Sequence, residues 1–119
     1  MIAEINSEIL AALVEDLPVG LILADANDVT VLYNREARRI FRRTPARVAE
    51  ILGTSVVECH PTQTQPLVRQ LLEDFRAGRR DELDGVKEVH GRAIRFTYRP
   101  VRAPDGRYLG TVEIVREVG

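Results

Sequence analysis

Residues 53–78, GTSVVECHPTQTQPLVRQLLEDFRAG, contain the best-defined helix in the chain. Pro66 suits a first turn, Arg76 suits a last turn, and Gly78 suits the position just after a helix end. Leucines and other apolar residues recur between them at three- and four-residue spacing, which predicts one buried face. We expect that face to consist of Val68, Leu71, Leu72 and Phe75.

The same stretch carries the only cysteine, Cys59, followed by His60 and Pro61, and blocks that favour β-structure lie on both sides of it. A segment that crosses between two such blocks is a natural place for a pocket. Neighbouring side chains in an irregular segment point apart, and His90 is the only other histidine, so we predict no zinc site. We expect His60 to bond nearby backbone, whereas Cys59 is either a redox-sensitive thiol or an inert, half-buried one.

Length and composition indicate one compact domain. The chain has 119 residues, 45% of them hydrophobic, and a formal net charge of −1. That balance argues against a nucleic-acid-binding protein, and we interpret the arginines of residues 35–47 as a solvated face. No apolar run approaches a membrane span, and the acidic start MIAEINSEIL is no secretory signal, so we expect a cytoplasmic protein.

The N-terminal residues predict an amphipathic helix over 2–17, which ends before Pro18. We treat residues 1–17 as a separate dimerisation helix that precedes a domain formed by residues 18–119. The helix either packs on its own domain or pairs with the same helix of a second chain, and a wide stripe could do both. The predicted interface of the homodimer comprises Ile2, Ile5, Ile9, Ala12 and Leu13.

Most of the remaining chain predicts strands. GLILAD and DVTVLYN form a predicted hairpin, after which Asn34 and Thr44 begin two short helices. Residues 82–90 are a weaker strand that turns at His90-Gly91 into RAIRFTYRPV. In the last two strands we expect the inward residues to be Ile94, Phe96, Tyr98, Val112 and Ile114.

The order of these elements, together with particular residues, resembles the PAS domain family over roughly residues 8–117. The resemblance lies in LPVGLILADANDVTVLYN at residues 17–34, in Asn34-Arg35-Glu36-Ala37, in Cys59-His60-Pro61 and in RPVRAPDGRYLGTVEIV at residues 99–115. A closer resemblance is to the PAS module that accompanies hemerythrin-like domains. It rests on Cys59-His60-Pro61, Phe75-Arg76-Ala77-Gly78 and Tyr108-Leu109-Gly110-Thr111-Val112-Glu113.

The resemblance implies an α+β fold in which helices cover one face of a five-stranded antiparallel sheet around a ligand or cofactor cavity. It also implies a bacterial-type regulatory protein that senses a signal, forms homodimers and relays the signal to an attached domain. The expected ligand pocket, with Cys59 and His60 at its rim, comprises Leu23, Val57, Cys59, His60, Leu71, Phe75, Ile94, Phe96, Tyr98, Val112 and Ile114.

Of three alternatives to a general ligand sensor, two stay open at this point. One is a haem or redox sensor that uses Cys59 or His60, although oxygen-sensing relatives carry their proximal histidine on the long helix, where residues 67–77 have none. Flavin photochemistry is disfavoured because the relatives' Asn-Cys-Arg-Phe segment is absent. Another is a ligand-free dimerisation module. The third, catalysis, has no support from a nucleophile elbow or a phosphate-binding glycine loop, so we expect no enzyme.

Overall fold

A computed structural model describes residues 1–118, so Gly119, the last residue of the predicted domain 18–119, lies outside the described part. The elements in chain order are α1 (Ser7–Asp16), β1 (Gly20–Asp25), β2 (Thr30–Tyr33), α2 (Arg35–Ile40), α3 (Pro45–Ile51), a 3₁₀ turn (Val57–Cys59), α4 (Gln65–Arg76), β3 (Leu83–Val89), β4 (Arg92–Arg102) and β5 (Tyr108–Glu117).

The strands form one five-stranded antiparallel sheet in the order β2-β1-β5-β4-β3. This arrangement confirms the predicted α+β fold class. The N-terminal hairpin and the C-terminal strands meet where β1 pairs with β5, with Ile22 opposite Glu113 and Leu23 opposite Val112. The last strand of the chain therefore lies in the middle of the sheet, with neighbours on both sides.

Helices α2, α3 and α4 cover one face of this sheet, which we call the inner face. Phe75 of α4, Ile94 of β4 and Val115 of β5 are almost completely buried there. A Cβ atom on Gly20 would collide with Val115 and with the backbone of Ala37 in α2, so this glycine lets α2 approach β1 closely. The inner face and the helices thus form the core.

The local signals for helices and turns are confirmed. Asn34 and Thr44 accept backbone N–H groups at the starts of α2 and α3. His90 and Gly91 both have positive φ, 49° and 77°, as a tight two-residue turn between β3 and β4 requires. Gly78 follows the end of α4 with φ of 75°.

The predicted orientation of three sheet residues is wrong. Val112 and Ile114 pair with Leu23 and Leu21 of β1 and lie on the outer face of the sheet, away from α4. Their neighbours Thr111, Glu113 and Val115 are the buried, inward residues of β5. Leu23 likewise points outward, because Ile22 and Ala24 occupy the inner face of β1. Alternation of apolar and polar residues therefore assigns β5 to the wrong face.

The N-terminal helix is shorter than the predicted 2–17. It begins at Ser7 because the side chain of Asn6 accepts the N–H of Ile9 at 2.9 Å, which caps the helix. It ends at Asp16, and Leu17, the residue before Pro18, is not helical. Ile2 and Ile5 of the predicted stripe thus precede the helix, although both are exposed. Within the described chain no residue of α1 is buried, so the stripe does not pack on its own domain.

Candidate functional site

A cavity of about 210 Å³ lies between the inner face of the sheet and the segment that runs from the end of α2 to Pro61. Ile22 of β1, Phe41 after α2, Ile51 of α3 and Val56 supply its apolar walls. A smaller cavity of about 30 Å³ adjoins it, shares Ile22 and Val56 with it, and extends toward α4. The two together follow the seam between the helices and the sheet.

Three polar side chains of this cavity are incompletely satisfied. Thr30 is 1% exposed and Glu113 is 9% exposed, while Arg43 is half-buried. Among residues 1–118, Thr30 Oγ1, Arg43 Nε and Glu113 Oε2 are the buried side-chain atoms without a hydrogen-bond partner, and all three residues line the cavity. A buried polar group without a partner costs about 1–3 kcal/mol, so such groups are uncommon outside functional sites.

Two cations and one carboxylate set the charge of the cavity. Lys87 lies on the inner face of β3, opposite Ile94, and its Nζ is 3.5 Å from Glu113 Oε2. The same Nζ lies 5.4 Å and 5.1 Å from the ring centroids of Phe41 and Phe96, which favours a cation at this position. With Arg43 as the second cation, the formal charge of the lining is positive.

Two phenols border the same space. Burial raises the pKa of Tyr33 to about 12, although the nearby guanidinium of Arg43 acts in the opposite direction. Burial also raises the pKa of Tyr98, and the carboxylate of Glu113 adds to that effect. Both hydroxyls are therefore protonated at neutral pH, with Tyr98 directed at the carboxylate of Glu113 and Tyr33 next to the guanidinium of Arg43.

Cys59 and His60 line the cavity at the end of the 3₁₀ turn. His60 Nδ1 is 3.0 Å from the carbonyl oxygen of Val56, and Cys59 Sγ is 3.8 Å from that of Ser55. The contact of His60 with backbone agrees with the structural role expected for it. No group of three potential metal-ligating side chains occurs among residues 1–118.

The other predicted pocket residues divide into three groups. Leu71 and Tyr98 line the smaller cavity. The core positions are Val57, Phe75, Ile94 and Phe96, which fill space beside the cavities. Those on the outer face are Leu23, Val112 and Ile114.

Sequence reasoning missed the polar members Thr30, Arg43, Lys87 and Glu113. A signal existed for two of them. Lys87 and Glu113 are charged residues inside strands, at positions whose face is set by strand register.

The cavity is small relative to a porphyrin. Pockets for drug-sized ligands measure about 300–1,000 Å³, and haem is a large member of that range. At about 210 Å³, the space beside Cys59 and His60 does not hold such a group. The fit therefore favours a smaller organic molecule.

A second feature is the way α1 is attached to the domain. Asn34 Nδ2 donates to the carbonyls of Val14 and Val19 at 2.9 and 3.0 Å, and Arg38 forms a two-pronged ion pair with Glu15 at 3.0 and 3.2 Å. The bonds to Val14 and Glu15 hold the C-terminal end of the helix, and the bond to Val19 holds the segment that joins it to β1. Its exposed apolar residues include Ile9 at 59% and Leu13 at 55%.

Another face of α1 borders an open groove on the outer side of the sheet. Leu10 and Val14 of α1 line it together with Leu23, Leu32 and Leu52, and its volume is about 640 Å³. Apolar surface thus continues from the helix onto the sheet. Contiguous apolar surface of this kind is typical of a protein–protein interface.

Comparison with known proteins agrees with this architecture. A C-terminal domain from Streptococcus mutans superimposes with a TM-score of 0.78 at 26% identity, covering 95% of this chain and 85% of that one. The PAS domain of BvgS from Bordetella pertussis has a TM-score of 0.70 and 19% identity, with 94% and 85% covered. A sensory box sensor histidine kinase from Vibrio cholerae has a TM-score of 0.62 and 14% identity, with 93% and 90% covered.

Sequence comparison gives a family but no close relative. No curated protein matches the chain. Within residues 1–118, no helix has the length and hydropathy of a membrane span. The family model described as "PAS domain" matches residues 10–118, nearly all of the chain. The protein therefore belongs to the PAS domain family.

Proposed function

We propose that this PAS domain is a sensory module that binds a small molecule in its inner cavity and relays occupancy through a homodimer. The observation that carries the ligand is the set of unpartnered polar atoms on Thr30, Arg43 and Glu113 around one apolar-walled cavity. A ligand with complementary groups would satisfy atoms that the chain itself leaves without partners.

The homodimer is proposed from the surface of α1. This helix is attached by hydrogen bonds and ion pairs at one end, while Ile9 and Leu13 stay exposed on its surface. A second copy of α1 would cover these side chains, and the isologous pairing of two identical helices needs no other partner. We include residues 1–17 in this dimerisation segment, with Ile2, Ile5 and Ala12 as its peripheral contacts.

The relay is proposed through β5. Glu113 faces the cavity, whereas its sequence neighbours Val112 and Ile114 face outward toward the surface that continues to α1. A ligand that repositions Glu113 would therefore shift a strand whose outer face adjoins Leu23, and Leu23 lines the groove beside α1. Such a ligand changes the equilibrium between two dimer packings only by its difference in affinity for them.

The finer resemblance extends the proposal to its setting. Cys59-His60-Pro61 and the Tyr108–Glu113 segment resemble those of the PAS module that accompanies hemerythrin-like domains. We accordingly infer a cytoplasmic bacterial regulatory protein in which this domain has no catalytic role and acts on an attached or partner output domain.

The dimer is tested by sedimentation equilibrium of the wild-type chain and of an Ile9→Asp/Leu13→Asp variant. We expect the wild type to be a dimer and the variant to be a folded monomer. In a dimer of the variant, the two carboxylates introduced on one helix would be buried against those of the other helix, which is unfavourable. Leu67→Asp is the matched control, since Leu67 is a 72% exposed leucine on α4, away from the proposed interface. A wild-type monomer, or a double variant that dimerises as before, contradicts the interface.

Ligand binding is tested by screening a metabolite library against the protein by thermal shift. Val56→Phe would fill the cavity, and Val86→Phe, an exposed position on β3, adds the same ring elsewhere. We expect a hit that stabilises the wild type and the Val86→Phe control but leaves Val56→Phe unchanged. Hits that stabilise all three proteins equally, or a complete lack of hits, contradict a ligand in this cavity.

A further inference from the structure

We propose that the ligand is a small hydroxycarboxylic acid, bound as a monoanion with its carboxylate at Arg43 and its hydroxyl at Glu113. This inference rests on the proposed function, because it names the chemical class that the same cavity would take. It rests on two observations. Thr30, Arg43 and Glu113 each have a buried polar atom without a hydrogen-bond partner, and the net charge of the side chains that line the cavity is positive.

Arg43 is the anchor for the carboxylate. It follows α2 in a turn where Arg42 has a φ of 51° and the N–H of Arg43 donates to the carbonyl of Arg38 at 2.9 Å. This turn directs Arg43 to the cavity, whereas the adjacent Arg42 stays exposed. Its Nε lacks a partner, and a guanidinium presents paired donors that match a carboxylate in shape and charge.

Glu113 is the acceptor for a ligand hydroxyl. Lys87 lies 3.5 Å from Oε2, which is an ion pair but not a hydrogen bond, so this oxygen can accept a neutral O–H donor. A ligand ammonium would have to compete with Lys87 for the same carboxylate. With Arg43, Lys87 and Glu113 as the charged groups of the cavity, one negative charge on the ligand neutralises the lining.

Thr30 and the walls define the rest of the molecule. Thr30 Oγ1 can donate to the carboxylate or accept from the hydroxyl, and it is buried on β2 where it lines the same cavity. Ile22, Phe41 and Ile51 require an apolar side group on the ligand. A volume of about 210 Å³ accommodates on the order of ten non-hydrogen atoms.

The test uses four compounds of nearly equal shape, measured by calorimetric titration of the full chain: α-hydroxyisocaproate, isocaproate, α-hydroxyisocaproamide and leucine. We expect the first to bind best. Isocaproate, which lacks the hydroxyl, should bind about tenfold more weakly. The amide, which lacks the charge, should bind about 10- to 100-fold more weakly. Leucine, which adds a positive charge, should also be at least about tenfold weaker.

Variants assign these differences to residues. Arg43→Gln should weaken the binding of α-hydroxyisocaproate about 10- to 100-fold and leave the affinity for the amide unchanged. The control variant Arg42→Gln, at an exposed position, should alter neither affinity. Glu113→Gln should reduce the difference between α-hydroxyisocaproate and isocaproate. The four-compound comparison on the wild-type protein decides the matter even if a variant does not fold.

Three outcomes overturn the assignment: the amide binds as well as the acid, leucine binds best, or Arg43→Gln and Arg42→Gln lose affinity equally. Failure of all four compounds overturns it as well. In that case, a library compound whose binding is abolished by Val56→Phe would support the proposed sensory function with a ligand of another class. The absence of any such compound would contradict both the sensory function and the hydroxycarboxylic acid.

Discussion

Asn34 offers the sharpest test of how the N-terminal helix is joined to the domain. Its side chain is 2% exposed and makes four hydrogen bonds. Oδ1 accepts from the backbone N–H groups of Leu21 at 2.8 Å and Ala37 at 3.1 Å, and Nδ2 donates to the carbonyls of Val14 and Val19 at 2.9 and 3.0 Å. One side-chain amide thus connects α1, β1 and α2. Its Nδ2 donates two hydrogen bonds, and its Oδ1 accepts two.

The substitution Asn34→Asp keeps the shape and the two accepted bonds but replaces the donor by an oxygen. The carbonyls of Val14 and Val19 then lose their partner and face a negative charge. Each such buried group costs about 1–3 kcal/mol, so the free energy of unfolding should fall by about 2–6 kcal/mol. A chain of 119 residues has about 6–18 kcal/mol in total, so we expect a folded variant with markedly reduced stability.

The loss of stability caused by Asn34→Asp should depend on pH. A protonated carboxyl can donate to one of the two carbonyls, which raises the pKa of the introduced group above its unfolded value of about 3.9. A raised folded pKa means that the stabilising contribution is complete below the unfolded pKa and is lost as pH rises through the folded pKa. The difference between variant and wild type should therefore be smaller in acid than at neutral pH.

Urea denaturation followed by circular dichroism measures both effects, with the wild type compared at each pH. Asn27→Asp is the control, because it makes the same chemical change in the exposed turn before β2, where only the backbone N–H of Asn27 is bonded. Two results would contradict a role of the side-chain bonds to Val14 and Val19 in holding α1. One is that Asn34→Asp is no less stable than Asn27→Asp, and the other is that its loss of stability relative to wild type is the same in acid as at neutral pH.

Three further predictions concern packing and ionisation. Gly110→Ala places a Cβ on the carbonyl oxygen of Ala24 in the neighbouring strand and should reduce the free energy of unfolding by about 3 kcal/mol or more in urea; Gly85→Ala, which meets only the movable ring of Phe96, should lose less. Burial raises the pKa of Tyr33 to about 12 and raises the pKa values of Tyr98 and Tyr108. The contribution of these protonated tyrosines to the free energy of unfolding should be complete below pH 10 and lost as pH rises toward 12. A near-ultraviolet titration should accordingly find less phenolate in the native protein than in the denatured one. The hydrogen bond from Arg38 lowers the pKa of Glu15 from 4.5, so the attachment of α1 should be complete above that pH and weaken as pH falls below it. Hydrogen exchange of the α1 amides should accelerate accordingly, and Arg38→Met should remove the pH dependence.

The elements of this fold that the sequence predicts are those that depend on nearby residues. Asn34 and Thr44 cap the helices that follow them, and the positive φ values of His90 and Gly91 close the hairpin that this pair of residues indicates. Each signal acts over a few residues, so it needs no knowledge of the rest of the chain. The start of α1 at Ser7 instead of residue 2 has the same local cause, because Asn6 is a better cap than the residues before it.

The orientation of the strands is not local, and it is where prediction failed. The run Leu21–Ala24 is apolar at every position, so alternation cannot choose between Ile22 and Leu23 as the inward residue. In β5 alternation chooses, but wrongly, since it assigns Glu113 to the solvent side. The cavity joins β1, β3, β5 and the end of α2, which are far apart in sequence, and no motif of short spacing announces it.

The inversion of polarity in β5 is itself informative about function. A strand in the middle of a sheet that faces only a core and solvent has its apolar residues inward and its charged residues outward. Here Glu113 and Thr111 are inward and buried, whereas Val112 and Ile114 are on the outer face. A buried carboxylate favours an inner face that meets polar groups, while the half-buried Val112 and Ile114 present apolar surface on the outer face. Local rules tend to fail where a site is built. The proposed relay would start in this strand, because Glu113 faces the cavity while Val112 and Ile114, one peptide unit away on either side, face outward beside Leu23 and Leu21 of β1, and Leu23 lines the groove next to α1.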